Sequence, residues 1–186
     1  VYVEREGTLR SVRLDISKLP EGLYCLYVVA SPTGSVPLAK SRGIIVRHTP
    51  EITNVGPEVD RTVDSGSLYD ADGIPNGNGS SQVSIDYAVS DVDDAPVVAL
   101  FYSQAAERNV EDVATDDVGG IELAGATALT PTGLTEQVGT FMWDVQAEAV
   151  VPSESYYIWA VANDGKSSAL ARSAGQVHVR HSPFLR

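Results

Sequence analysis

Polar and apolar residues alternate without a break over residues 81–90, SQVSIDYAVS, placing Val83, Ile85, Tyr87 and Val89 on one face and Gln82, Ser84, Asp86 and Ala88 on the other. A period of two marks a strand with one buried side. The same alternation sets Phe141, Trp143 and Val145 together in residues 139–145, and VVALFYS at 97–103 is a further apolar run. Residues 22–30 and 156–162 are apolar on both faces: Tyr24, Leu26, Val28 and Ala30 against Cys25, Tyr27 and Val29, then Tyr156, Ile158, Ala160 and Ala162 against Tyr157, Trp159 and Val161. Two-sided strands belong in the middle of a sheet. The pattern also predicts a hairpin over residues 1–16, a strand over 43–48 stopped by Pro50, and an opening strand over 51–58. The glycines and Pro75 of residues 63–81 exclude a regular element there. Residues 104–138 hold room for a helical turn or two and an edge strand. Matching strand phases predict that Val83, Ile85, Tyr87, Leu100, Trp143, Tyr156, Ile158 and Ala160 line one interior.

One stretch recurs. Residues 19–50, LPEGLYCLYVVASPTGSVPLAKSRGIIVRHTP, return in loosened form as residues 151–183. An offset of 132 carries Pro20 onto Pro152, Tyr24 onto Tyr156, Ser41 onto Ser173 and Gly43 onto Gly175. One extra residue then carries Val46-Arg47-His48 onto Val179-Arg180-His181. Recurrence at a fixed period signals a repeated structural unit. The chain therefore divides into residues 1–50, the C-terminal part of one module, and residues 51–186, a complete one. Since residue 1 opens inside a strand pattern, the sequence reads as a segment of something longer.

Charge changes the picture of the surface. The net charge is −12, and residues 51–138 hold two Arg against seventeen acidic residues, while residues 1–50 carry a small positive excess. So acidic a face disfavours nucleic acid and anionic membrane as partners. No apolar run approaches the ~20 residues of a membrane-spanning helix. The single cysteine, Cys25, is replaced by Tyr157 in the second copy, which assigns it to packing rather than to thiol chemistry.

Little in the chain resembles a catalytic constellation. G-x-S-x-G, P-loop and H-E-x-x-H patterns are absent. Of the histidines, His48 and His181 are equivalent strand-end positions, and His178 lies three residues from His181, on the opposite face of a strand. Two acidic loops cluster oxygen ligands: Asp70, Asp72, Asn76 and Asn78 in one, and Asp91, Asp93 and Asp94 in the other. Hard-cation loops do this, with Ca²⁺ as the ion. Neither completes the EF-hand pattern, because Ile74 and Ala95 stand at its fifth position, so solvated turns without a cofactor are the favoured reading. Three Lys against ten Arg and fourteen Asp also fit adaptation to salt, although the acidity is confined to one segment. The outward aromatics Tyr157 and Trp159 are either a binding surface or are covered by residues 104–138, whose Val110, Val113, Ile121, Leu123, Leu129 and Leu134 supply apolar area. Covering is the favoured option.

Short strands, dense turn signals and scant helical periodicity predict an all-β antiparallel sandwich. The run Leu19-Pro20-Glu21-Gly22-Leu23-Tyr24, with Tyr24 four residues after Pro20, resembles the proline-to-tyrosine corner of immunoglobulin-like, fibronectin type III-like repeats in bacterial extracellular and surface proteins. Val151-Pro152-Ser153-Glu154-Ser155-Tyr156 keeps that spacing, and AVANDGKSSALA at 160–171 is similar to the family's turn into its last strand. Tyr87 stands where the family usually has Trp, and the insertions at 59–80 and 104–138 lengthen the module. A bacterial immunoglobulin-like or cadherin-like sandwich is the alternative. The resemblance implies a non-catalytic spacer or adhesion module of a large exported or cell-surface protein. Its partners would be neighbouring repeats of the same chain, another protein or a polysaccharide. The alternative function is an accessory module that holds a secreted hydrolase near polysaccharide.

Overall fold

The structure is a computed structural model that describes residues 2–3, 12–13, 15–30, 36–64, 81–115, 120–131, 133–145, 148, 150 and 154–180. The chain separates into two compact units, residues 1–48 and 49–186.

The first unit is built from paired strands. β1 (Tyr2–Val3) pairs antiparallel with β2 (Val12–Arg13), β3 (Gly22–Tyr24) with β6 (Ile44–Val46), and β4 (Tyr27–Ala30) with β5 (Val36–Lys40). The single central strand expected over 22–30 is therefore two strands, each with one partner among the described residues. The alternation runs straight through Cys25 and Leu26, but the backbone ladder breaks there. At the corner before β3 the Tyr24 hydroxyl donates to the Pro20 carbonyl at 2.7 Å. That bond fixes the entry to the strand while the ring covers the bend.

The second unit is a sandwich. Its strands are β7 (Glu51–Val55), β8 (Arg61–Asp64), β9 (Gln82–Ser90), β10 (Val97–Ser103), β11 (Val113–Thr115), β12 (Ile121–Leu123), β13 (Thr127–Ala128), β14 (Val138–Asp144), β15 (Glu154–Asn163) and β16 (Ser168–Arg180). A five-stranded sheet runs β13-β10-β15-β16-β8 and faces a three-stranded sheet β14-β9-β7, with β11 and β12 forming a separate ribbon. In the lettering of immunoglobulin domains, β7, β9 and β14 take positions A, B and E, and β10, β15 and β16 take C, F and G. This is an all-β, immunoglobulin-like sandwich. Among the described residues, all its pairings are antiparallel except that of β8 with β16.

The interior confirms the strand phases. All eight residues expected there belong to one cluster, joined by Val98, Ala162, Val177 and Val179 from the five-stranded sheet and by Val55, Val89 and Phe141 from the other. Partly buried against it, the Tyr102 ring lies 5.0 Å from Trp143 and 5.2 Å, edge-on, from Tyr156, and the Trp143 indole N–H donates to Glu148 Oε2 at 3.3 Å. The strand β8 falls in the stretch expected to be an insertion. The chain crosses between sheets just before it, where the Gly56 N–H donates to Asp86 O at 2.7 Å and the Gly175 N–H to Pro57 O at 2.9 Å. A Cβ at Gly175 would sit 2.3 Å from the Val59 carbonyl carbon, so only glycine lets the crossing segment lie this close to β16.

The repeat seen in the sequence is also a repeat of pairing. In the first unit Gly22, Leu23 and Tyr24 face Val46, Ile45 and Ile44; in the second, the equivalent Glu154, Ser155 and Tyr156 face Val179, His178 and Val177. Both ladders then break at the same place and resume with Tyr27 opposite Lys40 and with the equivalent Trp159 opposite Arg172. A break leaves an N–H without its ladder partner. The recurring serine supplies the acceptor: Ser41 Oγ takes the Leu26 N–H at 2.9 Å, and Ser173 Oγ takes the Ile158 N–H at 3.0 Å.

Candidate functional site

The outer face of the five-stranded sheet is the first candidate. Ala99 and Phe101 of β10 with Trp159 and Val161 of β15 form a second apolar cluster, and Leu123, Val113, Ile121 and Ala126 from the insertion pack on it. Tyr157 and Trp159 therefore form no open binding platform: Trp159 is 4% exposed. Tyr157 is half-buried, with the Arg172 guanidinium 4.3 Å from its ring centre. Such contacts favour a cation over the π-face. The insertion does not cover the face with all the residues expected. Leu129 and Leu134 turn into the main interior, while Val110 is exposed.

Two arginines latch the insertion down. Arg108 donates to the Ser103 hydroxyl at 2.7 Å and to the carbonyls of Ala124 and Gly125, and Arg172 donates to the Ala106 carbonyl. A 3₁₀ turn, Val110–Asp112, is closed by a capping box in which the Asn109 N–H donates to Asp112 Oδ2 at 2.9 Å. Gly125 has φ +66, in the left-handed region, where the chain must turn under the Arg108 guanidinium. The Trp159 indole N–H is buried without a partner, so the burial of this ring rests on apolar area alone.

The acidic turn after β9 is the second candidate. Asp91 Oδ1 accepts the N–H of Asp93 at 3.0 Å and of Asp94 at 3.3 Å, and Asp94 pairs with Lys166 at 2.7 Å. Asp91 Oδ2 is buried without a partner. The three carboxylates do not bring their oxygens together as a cation shell requires. Opposite them, Asp164 Oδ1 accepts the N–H groups of Lys166 and Ser167, both at 2.6 Å, and Oδ2 accepts the Ser167 hydroxyl. Burial opposes the charge of Asp164, but these hydrogen bonds and the Lys166 ammonium outweigh it and hold the carboxyl below its ordinary value. The other expected ligands, Asp70, Asp72, Asn76 and Asn78, lie outside the described residues, as does His181.

A serine, a histidine and an aspartate meet where the sequence singled out the histidine alone. His178 Nδ1 lies 2.6 Å from Ser155 Oγ, and its Nε2 lies 3.5 Å from Asp60 Oδ2. Asp60 also accepts the Gln176 N–H at 2.9 Å; with the His178 contact, that bond lowers its pKa. The effect of this row is to pin the start of β8 to β16 and β15. Ser155 and Asp60 carry no sequence signal, because their meeting depends on a parallel pairing made across more than 100 residues. A groove of about 560 Å³ lies beside β8, between Asn54, Glu58, Arg61, Gln82 and Asp86. Its charged groups are of both signs and single out no ligand.

No protein-family model and no curated protein matches the chain. Among solved structures it is similar to the crystal structure of chicken CNTN1 FN1-FN3 domains, with a TM-score of 0.36 and 12% identity, over 89% of this chain and 47% of that one. The chain thus spans less than half the length of that structure. The class of fold rests on the strand order and the shared core. Among the described residues, no helix is long and apolar enough to cross a membrane.

Proposed function

We propose that the chain belongs to a series of non-catalytic sandwich modules and acts as a spacer or adhesion element of a large exported or cell-surface protein. The observation that carries this reading is the recurrence of one hairpin at an offset of 132, with the same pairing register as far as Val28 opposite Ala39 and Ala160 opposite Ala171, a break at the equivalent place and the same bridging serine. Duplicated modules leave this kind of trace, because each copy must solve the same local packing problem. Neighbouring repeats of the same chain are then its first partners, with another protein or a polysaccharide beyond them. The accessory-module reading needs an exposed aromatic platform, and of the two aromatics that would form one Trp159 is buried and Tyr157 is half-buried with Arg172 over its ring. Co-sedimentation of the full chain with insoluble cellulose, chitin and xylan tests the choice. No retention is expected; retention on any of them, lost on Trp159→Ala, would overturn the spacer reading in favour of the accessory one.

A further inference from the structure

Among the described residues the two sheets of the sandwich have four strand edges, and three are guarded. The five-stranded sheet ends in β13, only two residues long, and in β8, which runs parallel to β16 and is pinned by the Asp60–His178 contact. In the three-stranded sheet, β7 is five residues long and its register breaks between Ile52 and Asn54. The fourth edge, β14, is different. It is seven residues long, pairs with β9 without a break from Val138 opposite Ala88 to Asp144 opposite Gln82, and contains no proline, lysine or arginine. Short length, bulges and basic residues are the usual defences of an edge, and β14 has none of them.

The direction of its free backbone groups follows from two bonds. The Val89 N–H donates to Gln137 O, and the Val145 N–H donates to Ser81 O. In an antiparallel pair the phase alternates, so Gly139, Phe141 and Trp143 also turn their backbone groups toward β9. Val138, Thr140 and Met142 turn theirs away from the sheet. On the same phase lie the side chains of Val138, Thr140, Met142 and Asp144, of which Val138 is 73% and Met142 53% exposed and Asp144 Oδ1 accepts the Ser81 hydroxyl at 2.7 Å; the exposed Glu136 stands two residues before the strand. The Thr140 hydroxyl donates to Asp86 Oδ1 at 2.6 Å, which brings a further carboxylate beside the middle of the strand. Every charged residue of β7, β9 and β14 is acidic, and no Lys or Arg occurs over residues 62–107 or 109–165.

We propose that β14 is a docking edge for an extended segment of another polypeptide that carries on one face apolar residues flanked at each end by a basic one, added antiparallel as a fourth strand of the β14-β9-β7 sheet. Main-chain bonds at Val138, Thr140 and Met142 hold the segment in place; its apolar side chains lie beside Val138 and Met142, and its basic ones face Glu136 and Asp144. Acid at each end of an apolar row is what selects such a partner. A second copy of this chain is the wrong occupant, because two-fold pairing of β14 sets Glu136 opposite Asp144 of the other copy, like charge on like. The docking edge does not depend on the module being one of a series.

The test uses the full chain and the blocked peptide Lys-Thr-Val-Thr-Thr-Thr-Val-Thr-Lys, followed by fluorescence anisotropy and amide chemical shifts. Saturable binding is expected, weakened by salt, with the largest shifts at Val138, Thr140 and Met142. The same peptide with Glu in place of both Lys binds about tenfold more weakly. Thr140→Pro removes an N–H that no internal ladder uses, and Met142→Lys sets a cation in the middle of the edge. Each abolishes binding, and Met142→Lys does so with an unchanged melting curve. Binding that survives Met142→Lys, equal binding of the two peptides, shifts centred on another strand, or self-association of the chain that Met142→Lys relieves would each overturn the proposal.

Discussion

The hairpin of β3–β6 and the hairpin of β15–β16 share a break, a bridging serine and most of a register, yet at several equivalent described positions they differ in burial. Leu26 is 42% exposed where the equivalent Ile158 is fully buried, and Tyr27 is 58% exposed where Trp159 lies under the insertion. Ser41 is half-buried and Ser173 fully so. Pairing is thus a local property of the repeated sequence, while the burial of Ile158 and Trp159 comes from what packs on either side of the second hairpin, the three-stranded sheet and the insertion.

If that is right, equivalent substitutions should have unequal effects. Ile158→Ala should cost about 2–5 kcal/mol in urea unfolding, against about 0.5 kcal/mol or less for Leu26→Ala; equal costs would mean that the first hairpin has a comparable core. Leu123→Asp should lift the insertion, which would be seen as a red shift of Trp159 emission and a rise in hydrophobic-dye binding, because it forces a charge into the outer cluster. Unchanged emission would mean that the insertion does not shield the face.

The repeated glycine separates the units more finely. A Cβ at Gly175 meets the Val59 backbone, whereas a Cβ at Gly43 meets the end of the flexible Leu23 side chain at 2.6 Å. Gly175→Ala should therefore cost about 1–3 kcal/mol and Gly43→Ala well under that, as read from thermal melts of each unit. Removing the hydroxyls comes next: Ser173→Ala leaves the buried Ile158 N–H and Gly175 carbonyl without their partner, for about 1–2 kcal/mol, while water can replace Ser41.

The smallest effect concerns acid. Asp164 has no counterpart in the first copy, where Pro32 stands at the equivalent position. Its folded pKa lies below the unfolded value near 3.8, so its contribution to stability is fully present above that value and is lost as pH falls through the folded one. The second unit should lose urea resistance on acidification below about pH 4 more steeply in the parent than in Asp164→Ala. Identical profiles would remove Asp164 from the account of the turn.

The alternation of Val83, Ile85, Tyr87 and Val89, the turn at Asp91, the all-β class and the recurring hairpin were legible in the sequence. Each depends on neighbouring residues and on the two-residue period of an extended backbone, so the chain carries the information locally. The break that splits residues 22–30 was not legible, because side-chain alternation continues through a bulge that only the partner strand reveals. Nor was β8, whose four residues contain one apolar side chain and acquire their strand character from the parallel contact with β16. The sequence showed that Trp159 and Val161 must be covered or used, but not which residues of the insertion would cover them. Val113, Ile121 and Leu123 turned outward onto that face while Leu129 and Leu134 turned inward, because a loop anchored at both ends packs wherever its closure allows. The Asp60–His178–Ser155 row and the open edge of β14 belong to the tertiary structure for the same reason. Pattern decides which way a side chain points from its own strand, and only the packed chain decides what it meets.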